Sequence, residues 1–126
     1  MSLKIKITAK VFPSEDPERV IKALTNLFGE VNLEFGDEEV FSSSDKMEIL
    51  KKVKEGIKAK QAMPAFKRIL LNNKGKESTY FYLNKQAAYM GKVSLCEEEG
   101  ESPLKPIKVE ISSQKIDELI KELTSN

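Results

Sequence analysis

The sequence predicts an α+β fold, in which an antiparallel or mixed sheet carries its helices mainly on one face. Two observations favour this class. Apolar residues recur with strand and helix periods in the order β-α-β-β-α-β-β-β-α. The strands cluster too closely, and the helices are too few, for repeated βαβ units. The 126 residues, 40% of them hydrophobic, suit a single domain over positions 1–126.

The first half of the chain begins with a strand and a helix. Residues 3–11 alternate apolar side chains with lysine or threonine, which is typical of a strand with one wet face. Asp16 precedes a proline and predicts the N-cap of a helix, and Gly29 predicts its end. A second strand is expected over residues 31–35 and a short third strand at residues 40–41.

A second, longer helix is expected after a cap at Ser44 or Asp45. Gly56 is expected to weaken it. Pro64 cannot donate a backbone hydrogen bond, so it is expected to kink this helix or to begin a new turn. The apolar side of the helical segment is formed by Met47, Leu50, Val53, Ile57, Ala62, Phe66, Ile69 and Leu70.

A β-hairpin is predicted from residues 79–83 and 87–95, joined around residues 84–86. A loop of even length would place Tyr80, Tyr82 and Tyr89 on one face, whereas an odd loop would set Tyr82 opposite Ala88 or Met90. In the even case, small neighbours would leave the rings exposed for a base to stack. The plainer interpretation is that the tyrosines pack within the sheet.

The chain closes with a polar bend, a strand over residues 107–111 and a helix capped by Ser113. The bend contains Cys96, expected to be a buried residue at a strand end, followed by Glu97, Glu98, Glu99 and Glu101. Their spacing does not match a calcium-binding loop, so we interpret these carboxylates as solvated.

Composition argues against several classes of function. The chain has one cysteine and no histidine, which nearly excludes a structural zinc site and removes the commonest general base. No run approaches the roughly 20 apolar residues that span a bilayer, and no signal peptide is evident. We therefore expect a cytoplasmic protein that is not an enzyme and that uses no metal or cofactor.

Basic residues are concentrated in one segment. Residues 46–76 contain ten basic and two acidic residues, a local charge of +8, while the remainder carries −7. Such asymmetry can give a nearly neutral protein a side that faces a polyanion. We predict binding to structured RNA through a basic helical face and the hairpin, with these contact residues: Lys51, Lys54, Lys58, Lys60, Lys67, Arg68, Lys85, Tyr89 and Lys92.

Two other interpretations stay open. The lysines could form no more than a solvated helix face. Alternatively, the chain could be a protein-interaction module, such as a homodimer joined through an exposed sheet face or an edge strand.

Several unusual sequence segments resemble those of a known family. The runs FYLNKQAAYMGKVSL, ESPLKPIKVEI and PSEDPERVIKALTNLF, with the basic helix ending in AFKRILL, resemble the archaeal uncharacterised protein family 0201, which is described as predicted RNA-binding. Pro64 departs from the continuous helix usual there. The resemblance implies an α+β fold like that of the ribosomal protein that binds five-S ribosomal RNA, and an archaeal, cytoplasmic setting. It implies no catalytic residues.

Overall fold

The computed structural model describes residues 3–101 and 104–125, which form an antiparallel sheet of six strands covered by five helices. The strands are β1 (Leu3–Lys10), β2 (Glu34–Phe35), β3 (Glu39–Ser44), β4 (Ser78–Leu83), β5 (Leu95–Cys96) and β6 (Ile107–Ser113). The helices are α1 (Pro17–Phe28), α2 (Lys51–Ala59), α3 (Met63–Asn72), α4 (Lys85–Tyr89) and α5 (Ile116–Thr124). Short 3-10 turns cover Met47–Leu50 and Glu99–Glu101.

The strand order across the sheet is β2-β3-β1-β6-β4-β5, and every neighbouring pair is antiparallel. The α+β class is therefore confirmed, with the antiparallel alternative. β1 lies inside the sheet, where Ile7 is opposite Ser42 of β3 and Val109 of β6. Two-residue strands, β2 and β5, form the two edges.

The helices pack mainly on one face of the sheet, as predicted. Every second residue of β1 is buried against them, beginning with Ile5 and Ile7. Phe66 of α3 meets Phe81 of β4 edge to face, with ring centroids 4.9 Å apart. The hydroxyl of Thr79 donates to the carbonyl of Leu70 at 2.6 Å, which ties α3 to the sheet.

Helix α1 follows its sequence signals closely. The carboxylate of Asp16 accepts a hydrogen bond from the Glu18 N–H at 3.0 Å, which satisfies one of the free donors of the first turn. The helix ends at Gly29, whose φ of 77° suits a residue without a Cβ. This predicted helix is confirmed.

The predicted cap of the second helix is wrong. The Ser44 hydroxyl accepts from the Lys46 N–H at 3.1 Å, but a 3-10 turn intervenes and α2 begins only at Lys51 without a side-chain cap. The predicted β3 is also longer than expected, since pairing with β1 extends it to Ser44.

The long helical segment is broken in two. α2 ends in a left-handed Gln61, with φ of 55°, and the Ala62 N–H donates back to the Ile57 carbonyl at 3.0 Å. Pro64 then lies in the first turn of α3, where its missing N–H costs nothing. Of the two effects expected of Pro64, the start of a new turn is confirmed.

The predicted hairpin is wrong in its connection. The Asn84 side chain accepts from the Ala87 N–H at 2.8 Å and begins a one-turn helix, α4, where a tight turn was expected. β4 and β5 do pair, with Tyr82 opposite Cys96. Tyr89 lies on α4, which packs against α1, so it does not share a sheet face with Tyr82.

At the C-terminal end, Ser113 belongs to β6 and does not cap α5. Its hydroxyl accepts from the Lys115 N–H at 3.1 Å, and α5 begins at Ile116. Within the predicted polar bend, Ser102, Pro103 and the side chain of Glu101 lie outside the described residues. The likeness to the five-S-binding ribosomal protein stays a prediction.

Candidate nucleic-acid interface

Five exposed lysines line the outer side of α2, α3 and the turn between them. We call this set the basic flank: Lys51, Lys52, Lys58, Lys60 and Lys67. Burial of Val53 and Ile57 in α2, and of Phe66 in α3, turns these lysines outward. Within residues 3–101 and 104–125, none of the five ammonium groups forms an ion pair.

Two other predicted contact residues of this segment have protein partners. The Lys54 ammonium donates to the Glu122 carbonyl at 2.7 Å, at the C-terminal end of α5, where the helix dipole favours a cation. Arg68 forms an ion pair with Glu97. Both contacts are exposed, the first a hydrogen bond to a neutral carbonyl and the second an ion pair, so each contributes little to stability.

The hairpin prediction placed Lys85 in an exposed turn, and this is wrong. Lys85 is only 6% exposed, and its ammonium donates to the Glu15 carboxylate at 2.8 Å and to the Lys10 carbonyl at 2.7 Å. The same ammonium lies 5.5 Å from the centre of the Phe12 ring. These two hydrogen bonds and the burial of the side chain leave little of this ammonium available to a partner.

Tyr89 is half-buried and meets two cations of α1. The Arg19 guanidinium lies 5.4 Å and the Lys22 ammonium 5.2 Å from its ring centre. Asn26 fixes the end of α4 by donating to the carbonyls of Ala88 and Tyr89, at 3.1 and 3.0 Å. Neither cation was singled out from the sequence, although their i, i+3 spacing places them on one helix face.

Lys92 is exposed in the loop that follows α4. The next residue, Val93, packs so closely on Gly56 of α2 that a Cβ at Gly56 would lie 2.5 Å from a Val93 methyl. Gly56 was expected to weaken α2, but its lack of a side chain leaves room for this loop to pack on the helix. The contact places Lys92 next to α2, which carries part of the basic flank.

A pocket of about 470 Å³ opens where α1 meets α4, and we call it the α1–α4 corner. It is lined by Glu15, Arg19, Lys85, Gln86, Tyr89 and Met90, among others. Its apolar wall includes Met90, which is 69% exposed.

The sheet face opposite the helices carries its own aromatic residues. Tyr80 and Tyr82 meet edge to face at 5.7 Å, and the Lys108 ammonium lies 4.8 Å from the Tyr80 ring centre. Burial, with smaller contributions from Glu99, Tyr80 and Glu110, raises the pKa of Tyr82 above its ordinary value. At 8% exposure, Tyr82 offers almost no ring surface to a base.

The described residues lack two other kinds of site. Across residues 3–101 and 104–125, no group of three or more histidine, cysteine or acidic side chains is placed to hold a metal ion. In the same part of the chain, no helix combines the length and apolarity needed to cross a bilayer. Cys96 is buried at a strand end, as predicted.

A family model described as RNA binding matches residues 4–113. Among curated proteins, the UPF0201 protein of Methanothermobacter thermautotrophicus is 38% identical over 117 residues, covering 93% of this chain and 87% of that protein. The UPF0201 protein of Sulfurisphaera tokodaii is 37% identical over 125 residues, covering 96% of this chain and 86% of its own.

Solved structures show the same fold. The crystal structure of a UPF0201 protein from Methanococcus jannaschii superposes with a TM-score of 0.81 at 30% identity, covering 98% of this chain and 93% of that one. A DUF54 protein of Archaeoglobus fulgidus superposes with a TM-score of 0.81 over 99% of this chain and 100% of its own. The latter, at 21% identity, is a likeness of fold alone.

Proposed function

The chain belongs to the archaeal UPF0201 family, and from that premise we propose that it is a non-enzymatic RNA-binding protein whose basic flank contacts phosphates. The observation that supports a role for the basic flank in RNA binding is that its five lysines are exposed and their ammonium groups form no ion pair within the described part of the chain. Such groups can neutralise phosphates and release their counterions without first breaking a protein contact. Lys92 is exposed in the loop whose Val93 packs on α2, and we include it as a further contact.

The other residues predicted to contact RNA have different roles in this proposal. Lys54 and Arg68 exchange their exposed partners for phosphate when RNA arrives. Lys85 acts inside the protein, where it holds α4 in position beside α1. A cytoplasmic location belongs to the proposal as well.

Filter binding to a structured RNA over a salt series tests the proposal. Five phosphate contacts, one for each flank lysine, predict a slope of log affinity against log salt of about −4, or roughly a 250-fold loss between 50 and 200 mM salt. Absence of RNA binding, or affinity that does not respond to salt, would reject the proposal.

A charge-matched pair of variants locates the contact. The flank variant replaces Lys51, Lys58, Lys60 and Lys67 by glutamine, and the control replaces the equally exposed Lys4, Lys10, Lys115 and Lys121 by glutamine. Both remove four positive charges. We expect the flank variant to lose most of the salt dependence and the control to keep it. Equal losses would mean that binding follows net charge and not the flank.

The β2 edge favours a second candidate, self-association. Phe35, in this edge strand, is 63% exposed, and an edge strand offers unpaired backbone groups to another chain. Sedimentation equilibrium of the wild type and of Phe35→Ser tests it. A dimer that dissociates in the variant supports this candidate, and a monomer at high concentration removes it.

A further inference from the structure

We propose that the pocket at the α1–α4 corner binds a single nucleotide, either an unpaired residue of an RNA or a free mononucleotide. Where the nucleotide belongs to RNA, this inference rests on the proposed function. The site lies outside the basic flank and uses different residues, so the two can be tested separately.

The first support is the origin of the pocket lining. Three distant runs of the sequence meet there: residues 14–20 at the start of α1, residues 85–90 of α4, and Leu104 before β6. These lining residues lie within three of the unusual sequence segments described above, SEDPERV, KQAAYM and ESPLKP. A volume of about 470 Å³ is within the range of small-ligand pockets and exceeds what a nucleobase alone requires.

The second support is the rigid construction of one wall. The Lys85–Glu15 pair is largely buried, and Glu15 also accepts from the Phe12 N–H at 3.0 Å. These contacts join α4 to the loop before α1. The pocket is therefore held open by groups that are already satisfied, so a ligand would not have to order them.

The third support is the distribution of charge. Of the carboxylates that line the pocket, Glu15 is engaged by Lys85, and Asp16 accepts from the Glu18 N–H. The cations Arg19 and Lys22, in contrast, form no ion pair within the described residues and contact the Tyr89 ring. Asp16 keeps its negative charge, since a backbone N–H does not neutralise a carboxylate, but the two cations that meet the Tyr89 ring make that side of the pocket positive, which suits a phosphate.

The fourth support is the shape of the apolar lining. Tyr89 supplies a ring next to a guanidinium, and nucleobases stack on both kinds of group. Val20, Met90 and Leu104 continue this surface, while Ser14 and the exposed Gln86 supply polar groups for the edge of a base. A ring with polar edges and an attached phosphate combines what these groups recognise.

NMR titration of the full chain with AMP and UMP is the first arm of the test, with adenosine and inorganic phosphate as separate probes. We expect the Gln86 amide and Tyr89 ring signals to move with either nucleotide, and less with phosphate or adenosine alone. The second arm compares a duplex RNA with the same duplex carrying one unpaired nucleotide, with tighter binding of the latter expected by at least about fivefold.

Met90→Glu and Phe35→Glu form the matched pair of variants, since these exposed apolar residues differ mainly in location. Met90→Glu places a carboxylate on the pocket wall, so we expect at least a tenfold loss of nucleotide affinity. Phe35→Glu, at the β2 edge, should leave that affinity unchanged. Tyr89→Leu adds a check on the ring, and the dispersion of its NMR signals reports whether it is folded.

The outcomes separate the two proposals. Nucleotide binding without any RNA binding supports this site as one for free nucleotides and rejects the RNA-binding proposal. Tighter binding of the bulged RNA that is lost in Met90→Glu supports the RNA source. No nucleotide binding together with equal affinity for both RNAs overturns this inference, as do equal effects of the two glutamate variants.

Discussion

The basic flank and the α1–α4 corner both contain several cations, but the two regions use them differently. The flank leaves its lysines in water, without ion pairs among the described residues. The corner buries Lys85 against a carboxylate, a carbonyl and a ring, and sets Arg19 and Lys22 against Tyr89. The number of cations in a segment therefore does not give the number available to a partner, because partners and desolvation decide that.

The largest effect expected from this comparison is on stability at the corner. Lys85→Met leaves the largely buried Glu15 carboxylate without its counterion but with its Phe12 N–H donor, so we expect a loss of about 3 kcal/mol in the free energy of unfolding. Urea denaturation measures it. Lys67→Met, the same change on the exposed flank, should alter stability by less than about 0.5 kcal/mol.

A double variant separates charge from packing at this position. Adding Glu15→Gln to Lys85→Met removes the unpaired charge, and we expect part of the stability to return. Similar losses for Lys85→Met and Lys67→Met would contradict the contrast between the two regions.

The contact between Gly56 and Val93 joins the two regions, and Gly56→Ala breaks it. Alanine favours a helix by about 1 kcal/mol over glycine. Here its Cβ would lie 2.5 Å from a Val93 methyl, so we expect a net destabilisation of about 1–2 kcal/mol. Thermal unfolding measures the change. Val93→Ala removes the methyl but leaves a Cβ 2.7 Å from the added one, so it should recover only part of the loss. A stabilised single variant would show that the loop does not pack on α2.

Asn26 sharpens the comparison from the corner side. Its amide donates to two carbonyls at the end of α4, so Asn26→Ala leaves both without that donor. We expect a loss of about 1 kcal/mol in stability and faster hydrogen exchange in α4 than in α2. The alternative variant Thr25→Ala, one position earlier and exposed, serves as the control. Uniform exchange across both helices would argue against a specific anchor.

The smallest effect concerns the sheet face that belongs to neither region. The folded-state pKa of Tyr82 is raised above its ordinary value of 10.0, so the unfolded chain releases this proton first as pH rises. The corresponding stability is present below pH 10.0 and is lost as pH rises through the folded pKa. Tyr82→Phe should therefore show a flatter decline of unfolding free energy above that pH. Parallel curves for the two proteins would contradict the assigned cause.

The parts of the fold that the sequence predicts are those with a strong local signal. Asp16 before proline and the apolar stripe of α1 act within the helix itself, so no distant contact is needed to read them. The prediction for the segment after Asn84 is wrong because α4 has only five residues, too few to display a helical period. Asn84 followed by good helix formers was the available signal.

Prediction of the candidate site divides in the same way. The exposed lysines of α2 and α3 follow from helix periodicity, since their apolar neighbours fix which side is buried. The positions of Lys85, Arg19 and Lys22 depend on contacts between α4, α1 and the end of β1, more than sixty residues apart. No local pattern encodes that meeting.

Lysine footprinting tests the central claim most directly. The chain is acetylated with and without a structured RNA, and the modified lysines are identified by mass spectrometry. The account predicts that Lys58, Lys60 and Lys67 react freely and become protected by RNA, that Lys115 and Lys121 react equally in both samples, and that Lys85 is unreactive throughout. Equal reactivity of the flank lysines with and without RNA, under conditions where RNA is bound, would contradict it.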